Sequence, residues 1–142
     1  MPLLRTMHAA LALMFLAAGV RAQEVSGADH DAIQGVITQQ IDAFRRDDGP
    51  AAFAFAAPGI QSQFGTPERF LDMVRRAYPP VHRPRAVEFS ELLQRDGGIV
   101  QQVELVGPDG ATRLALYTME RDGAGHWRIA GCSLVPSVRV GA

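Results

Sequence analysis

Tyr117, the pair Gln101 and Glu104, and Arg128 fall on three separate segments of alternating apolar and polar residues, which antiparallel pairing would bring side by side. A phenol on such a sheet can donate to a developing oxyanion, and a carboxyl group or imidazole can move a proton. His82, Tyr117 and Glu104 are therefore the catalytic candidates. A second group surrounds a rigid break: Tyr78, His82, Arg83 and Arg85 flank Pro79-Pro80, with Pro84 stiffening the same loop. An imidazole and two guanidinium groups held there suit a small anion or carboxylate. The competing reading is an ordinary surface connection.

Gln40 lies in the middle of an apolar helical stripe, close in angle to Ile33 and Phe44. An unpaired amide there is costly, so it must hydrogen-bond backbone or water inside the domain, or line a ligand cavity. Asp42 is half a turn away and reads as solvated surface. Other pairings fail on geometry. His126 and Cys132 share a parity on the last strand, but six residues at about 3.3 Å each put them roughly 20 Å apart, too far for a thiol and its base. His30, His82 and His126 are scattered and show no metal-ligand spacing, and Asp29-His30-Asp31 reads as helix capping. Neither a metal nor a cofactor is expected.

The elements that must position these groups are legible in outline. An amphipathic helix runs from about Asp29 to Arg46, with Ile33, Val36, Ile37, Ile41 and Phe44 on one face. Asp47-Asp48-Gly49-Pro50 stops it and starts a short second helix, with Asp48 as N-cap, that ends by Ala57 before Pro58-Gly59. Thr66-Pro67-Glu68 opens a third, with Phe70, Met73, Val74 and Ala77 on one side, and Pro79-Pro80 ends it. From about Arg85 the period becomes two. Val87, Phe89, Glu91 and Leu93 alternate, then Ile99, Gln101, Val103 and Leu105, then the segment around Leu114 to Met119, and last Trp127 to Val135. Turns at Asp96-Gly97-Gly98, Pro108-Asp109-Gly110 and Asp122 to Gly125 join them into an antiparallel meander.

Trp127 and Ile129 share a face and should both be core. Val100, Leu114 and Leu116 oppose the parity of Val103, Tyr117 and Met119, so both sheet faces carry apolar residues. One face packs on the helices, and the other is expected to pair with a second copy.

The first 22 residues read as a secretory signal peptide: Arg5, an apolar run from Ala9 to Val20, and Val20-Arg21-Ala22 before a cut at Gln23. The run is too short for a spanning helix, which needs about 20 apolar residues. The mature chain, 23–142, is then one domain, periplasmic in a Gram-negative cell and otherwise secreted, with no membrane attachment after cleavage. Cleavage removes two of the 14 basic residues, leaving 12 against 15 acidic ones, a net charge of −3. No nucleic-acid face is expected from that balance. Cys132 is the single cysteine, so no internal disulfide forms, and it reads as a buried structural thiol.

Helices followed by an antiparallel sheet whose last strand carries Gly125-x-Trp127-Arg128-Ile129 resemble the cone-shaped nuclear transport factor 2-like (SnoaL-like) superfamily. A closer resemblance spans nearly the whole mature chain. Ile37, Gln40, Ala43-Phe44, Asp47-Asp48, Ala51, Phe55-Ala56, Pro58 and Ile60 carry its first part. Phe64, Glu68, Phe70, Met73-Val74, Tyr78, Pro80-Val81 and Trp127-Arg128-Ile129-x-Gly131-Cys132 carry the rest. These look like the exported bacterial family catalogued as domain of unknown function 4864. The resemblance implies an α+β cone of three helices on a curved sheet of at least four strands, and no particular activity. Enzymes of the superfamily often use an Asp or His base inside the cone, and here no Asp falls at an interior strand position. The favoured function is therefore a non-catalytic module for a small apolar or weakly anionic molecule. The alternatives are an isomerase- or dehydratase-like enzyme and an assembly module using the sheet face. Gln40, Tyr78, His82, Arg83, Arg85, Gln101, Tyr117 and Arg128 are the ligand-contact candidates.

Overall fold

Ser26 begins the ordered architecture with a reciprocal cap. In the computed structural model, which describes residues 25–96 and 98–137, its hydroxyl accepts from Asp29 N at 3.1 Å and its own N–H donates to Asp29 Oδ2. Helix α1 (Gly27–Arg45) follows, burying Ile33, Ile37, Gln40, Ile41, Ala43 and Phe44 along one stripe. The signal-peptide reading concerns residues 1–22, outside the described ones.

The sequence reading placed three helices, and the described residues form five. α2 (Gly49–Ala54) starts where expected, with Asp48 Oδ1 accepting from Ala51 N. α2 ends at Ala54, ahead of Pro58-Gly59, and Pro58 opens α3 (Pro58–Phe64), because a proline at the first helical position gives up an N–H that has no intrahelical partner anyway. Gly65, at φ 77°, stops α3 in a conformation that favours glycine. α4 (Pro67–Ala77) is capped by Thr66, and Phe70, Leu71 and Val74 form its buried side. Pro79-Pro80 then repeats the device in the four-residue α5 (Pro79–His82).

Four strands form one antiparallel meander in the order β1-β2-β3-β4: β1 (Ala86–Arg95), β2 (Gly98–Val106), β3 (Thr112–Arg121) and β4 (Trp127–Pro136). The open sheet confirms the α+β class. Val103, Leu105, Ala115, Tyr117, Met119, Trp127 and Ile129 are buried, so the odd-numbered set on β2 and β3 faces the helices. Trp127 and Ile129 are core as expected. Val100, Leu114 and Leu116 lie on the other face, partly exposed.

Two bulges change side-chain directions that strict alternation had assigned. In β1 the register shifts between Phe89 and Leu92, so Leu92, opposite Gln101, takes the helix-facing side. Leu93, opposite Val100, turns to the open face, and the expected alternation of Phe89, Glu91 and Leu93 is broken. Gln101 accounts for the distortion: its Nε2 lies 3.3 Å from Ser90 O, 3.4 Å from Glu91 O and 2.9 Å from Gln102 O, tying its amide to the bulge. In β4 the shift falls opposite Thr118/Met119, where Ile129 pairs with Met119 and Gly131 with Thr118. Residues on either side of Ala130 therefore exchange faces. Cys132 and Leu134 turn toward the helices and Arg128 away from them, so the shared parity read for His126 and Cys132 does not hold.

The outer edge of β4 is covered locally, since Ile129 N donates to Phe55 O and Ala57 N donates to Ile129 O, both at 2.9 Å or less. The segment after α2 is thereby pinned to the sheet. Among the described residues no helix is long and apolar enough to cross a membrane.

Candidate functional site

A cavity of about 220 Å³ lies between the helices and the β3–β4 half of the sheet. α1 contributes Gln40 and Phe44, the region of α2 and α3 contributes Ala56, Ile60, Gln63 and Phe64, and α4 contributes Phe70, Met73 and Val74. Tyr78 and Val81 close one side, and Tyr117, Ile129, Gly131 and Cys132 form the sheet wall. The bulge at Ala130 matters here, because without it Cys132 would point to the open face. None of these lining residues is charged.

The aromatic wall is built around Phe70, whose ring centroid lies 5.8 Å from Phe44, 5.4 Å from Phe53 and 5.6 Å from Phe64, all tilted. Tilted rings at such spacings gain from edge-to-face attraction as well as from burial. Gln61 steadies α3 by donating to Phe53 O at 3.0 Å and Ala56 O at 3.1 Å.

Polar side chains interrupt the apolar wall at Gln40, Gln63, Tyr78, Tyr117 and Cys132. Gln40, 3% exposed, donates Nε2 to Ala52 O at 3.1 Å, which meets the expectation of an internal partner and also places it on the cavity. Tyr117 is fully buried, and its hydroxyl has no hydrogen-bond partner among the described residues. Leaving a buried donor unmatched costs about 1–3 kcal/mol. Cys132 sits directly across the β3–β4 pair from Tyr117, where its thiol is a close but poorly aligned neighbour that couples to the phenol's ionisation without satisfying its hydroxyl. Desolvation raises both groups: the Tyr117 phenol lies well above its usual range, and the Cys132 thiol is pushed up to about 12. Both are therefore neutral at physiological pH, and Cys132 is a thiol, not a nucleophilic thiolate.

The other candidate residues lie elsewhere. Gln101 serves the β1 bulge, and its Oε1 is also buried without a partner. Glu104 lies on the open face opposite Leu114 and Glu88, accepting from Ser137 Oγ at 3.4 Å. Arg128 pairs with Asp122 at 3.2 Å on the hairpin before β4. Backbone N–H groups of His126 and Ala124, each 2.9 Å from Asp122 Oδ1, help hold that carboxyl below its usual range, as does Arg128. The catalytic set His82, Tyr117 and Glu104 is thus split among three places. Gln101 and Tyr117 share the helix-facing side, while Glu104 and Arg128 do not join them.

His82 and Arg83 belong to a hub centred on Asp47, which the sequence reading treated only as part of a helix stop. α1 ends with Asp48 N donating to Ala43 O and Asp47 N to Phe44 O, a closure that places Asp47 in the left-handed region at φ 53°. Glycine is the usual occupant there, since a side chain is strained. Asp47 uses the position to reach His82 Nε2 at 2.8 Å, Arg83 at 2.7 Å and Arg75 at 3.1 Å. These contacts tie the end of α1 to α4 and α5, and they occupy the imidazole and one of the guanidinium groups assigned to an anion site. Arg85 stands apart in a shallow groove with Asp42, Arg45 and Phe89.

The hub predicts an acid response. The His82 hydrogen bond first, then Arg75 and Arg83, hold the Asp47 carboxyl at about 2, below its ordinary 3.8. Its contribution to stability is present above pH 3.8 and is lost as pH falls through about 2. The melting-temperature gap between the wild type and Asp47→Asn should therefore narrow across that window. A gap independent of pH there would contradict the hub.

Fold and site together define a small α+β domain with an uncharged cavity between its helices and one half of an open meander. A family model described as domain of unknown function, DUF4864, matches residues 26–142, and the chain belongs to that family. No curated protein and no solved structure matches it.

Proposed function

We propose that this domain is a non-catalytic binding module that takes a small apolar molecule into the cavity beside Phe70 and Tyr117. The observation that carries the reading is the uncharged lining of a space of about 220 Å³. Apolar cavities of about 150 Å³ already take up benzene. The weakly anionic half of the sequence expectation loses its support, because His82 and Arg83 engage Asp47 and, among the described residues, no cation lines the cavity. The acid-base reading lacks an assembled set among the described residues. Calorimetric titration with toluene should show saturable binding, and Val74→Phe, which fills part of the space, should abolish it. Binding undiminished by Val74→Phe would place the ligand elsewhere, and no binding to the wild type would contradict the proposal.

Two further parts of the reading are finer than the family. The nuclear transport factor 2-like cone is supported by helices preceding a four-stranded meander and by the strand carrying Trp127-Arg128-Ile129. Export, with residues 1–22 removed, is supported by the charge and apolar pattern of that segment.

The open sheet face belongs to the same proposal and takes a second copy of the chain. Leu93, Val100, Val106, Leu114, Leu116 and Val135 are all only partly buried there, and two-fold pairing is the commonest way to cover such a face. Sedimentation at micromolar concentration should give twice the monomer mass, and Leu116→Glu should halve it. A monomeric wild type would overturn this assignment while leaving the cavity reading intact.

A further inference from the structure

We infer that the cavity's ligand is a neutral molecule carrying a hydrogen-bond acceptor, such as a carbonyl oxygen, which pairs with the Tyr117 hydroxyl. This rests on the cavity-binding reading above and specifies the ligand's chemistry. The first argument is the unmatched donor. Tyr117 is fully buried on the cavity wall, on rigid β3 between two paired strands, and its hydroxyl meets no acceptor among the described residues. The Gln40 amide already donates to Ala52 O and does not answer it.

The second argument is charge. Among the described residues no Arg or His lines the space, so a carboxylate entering it would be desolvated without a counter-ion. Burial keeps Tyr117 and Cys132 protonated, so the wall offers donors to an acceptor and no cation to an anion. The third is access. The hydroxyl oxygen is closed off from water, and the Cys132 thiol beside it, directly across the strand pair, also lines the cavity. Contact between a ligand and the phenol requires that small side chain to move aside. The acceptor then replaces an empty contact, which is why an acceptor should bind more tightly than a hydrocarbon of the same shape.

Toluene, benzaldehyde and benzoate form a matched series for calorimetry on the wild type and Tyr117→Phe. Benzaldehyde should bind the wild type about tenfold more tightly than toluene, and benzoate should not compete. Tyr117→Phe should erase the benzaldehyde advantage while leaving toluene unchanged. With Tyr117 labelled at Cζ, benzaldehyde should shift its carbon resonance and toluene should not, a readout that does not depend on the variant folding. Equal binding of toluene and benzaldehyde, or preference for benzoate, would overturn the inference while leaving a binding cavity. Failure of all three to bind would overturn the cavity reading itself.

Discussion

Trp127→Ala should lower the unfolding free energy by about 3–5 kcal/mol, more than half the stability of many small domains. The indole is 9% exposed at the start of β4, where it closes the core beneath the N-terminal end of α1. Its Nε1 donates to Asp29 Oδ1 at 3.2 Å, and the Arg121 guanidinium lies over the ring at 4.7 Å while also pairing with Asp29 at 2.7 Å. Asp29 is in turn the residue that completes the Ser26 cap, so one substitution strips packing from the sheet and an anchor from the helix. Trp127→Phe separates the two effects: it keeps much of the buried area and loses only the hydrogen bond and the difference in ring size. Unfolding free energies from denaturant titration that fall steeply for alanine and by about 1 kcal/mol or a little more for phenylalanine fit this account. A midpoint unchanged by Trp127→Ala would mean that β4 does not face the helices.

Phe70→Ala should cost a similar amount, about 3–5 kcal/mol, for a different reason. Phe70 is 6% exposed and is the one ring that contacts Phe44, Phe53 and Phe64, so its loss removes the middle of the cluster joining α1, α2, α3 and α4. It also enlarges the cavity that its side chain borders. A ligand that binds only the folded state stabilises it according to its concentration and affinity, so benzene should recover part of the loss in Phe70→Ala. Thermal denaturation with and without benzene measures both quantities. A small loss, or no recovery, would show that the cluster and cavity are not joined as described.

These two residues also mark what was legible in the sequence. Helical spacing identified Phe70 as core and two-residue spacing identified Trp127 and Ile129, because burial of a periodic face is a local property of the chain. The same reasoning placed the antiparallel strands and the buried Gln40. It missed α3 and α5, since Pro58-Gly59 and Pro79-Pro80 were read as stops when the proline there begins a helix. It also misdirected side chains beyond the bulges in β1 and β4, where one extra residue reverses every later orientation.

Of the candidate contact residues, Gln40, Tyr78 and Tyr117 converge on the cavity, whereas His82, Arg83, Arg85, Gln101 and Arg128 are drawn to other places. Cys132 reaches the wall only through the β4 bulge, which alternation does not reveal. Met73 and Phe64 were visible as apolar residues, but nothing local tells a filled contact from a cavity wall. The Asp47 hub was hidden for another reason: it joins residues up to 36 positions apart, and it depends on an aspartate taking a backbone conformation usually left to glycine.

The central claim is that ligand enters between the helices and β3–β4, and amide NMR during a toluene titration tests it most directly. The account predicts that perturbations concentrate at Phe70, Val74, Tyr117, Ile129 and Cys132, with Val100, Leu114 and Leu116 unmoved. Perturbations confined to Val100, Leu114 and Leu116 would contradict it, by showing that the open sheet face, and not the cavity, receives the ligand.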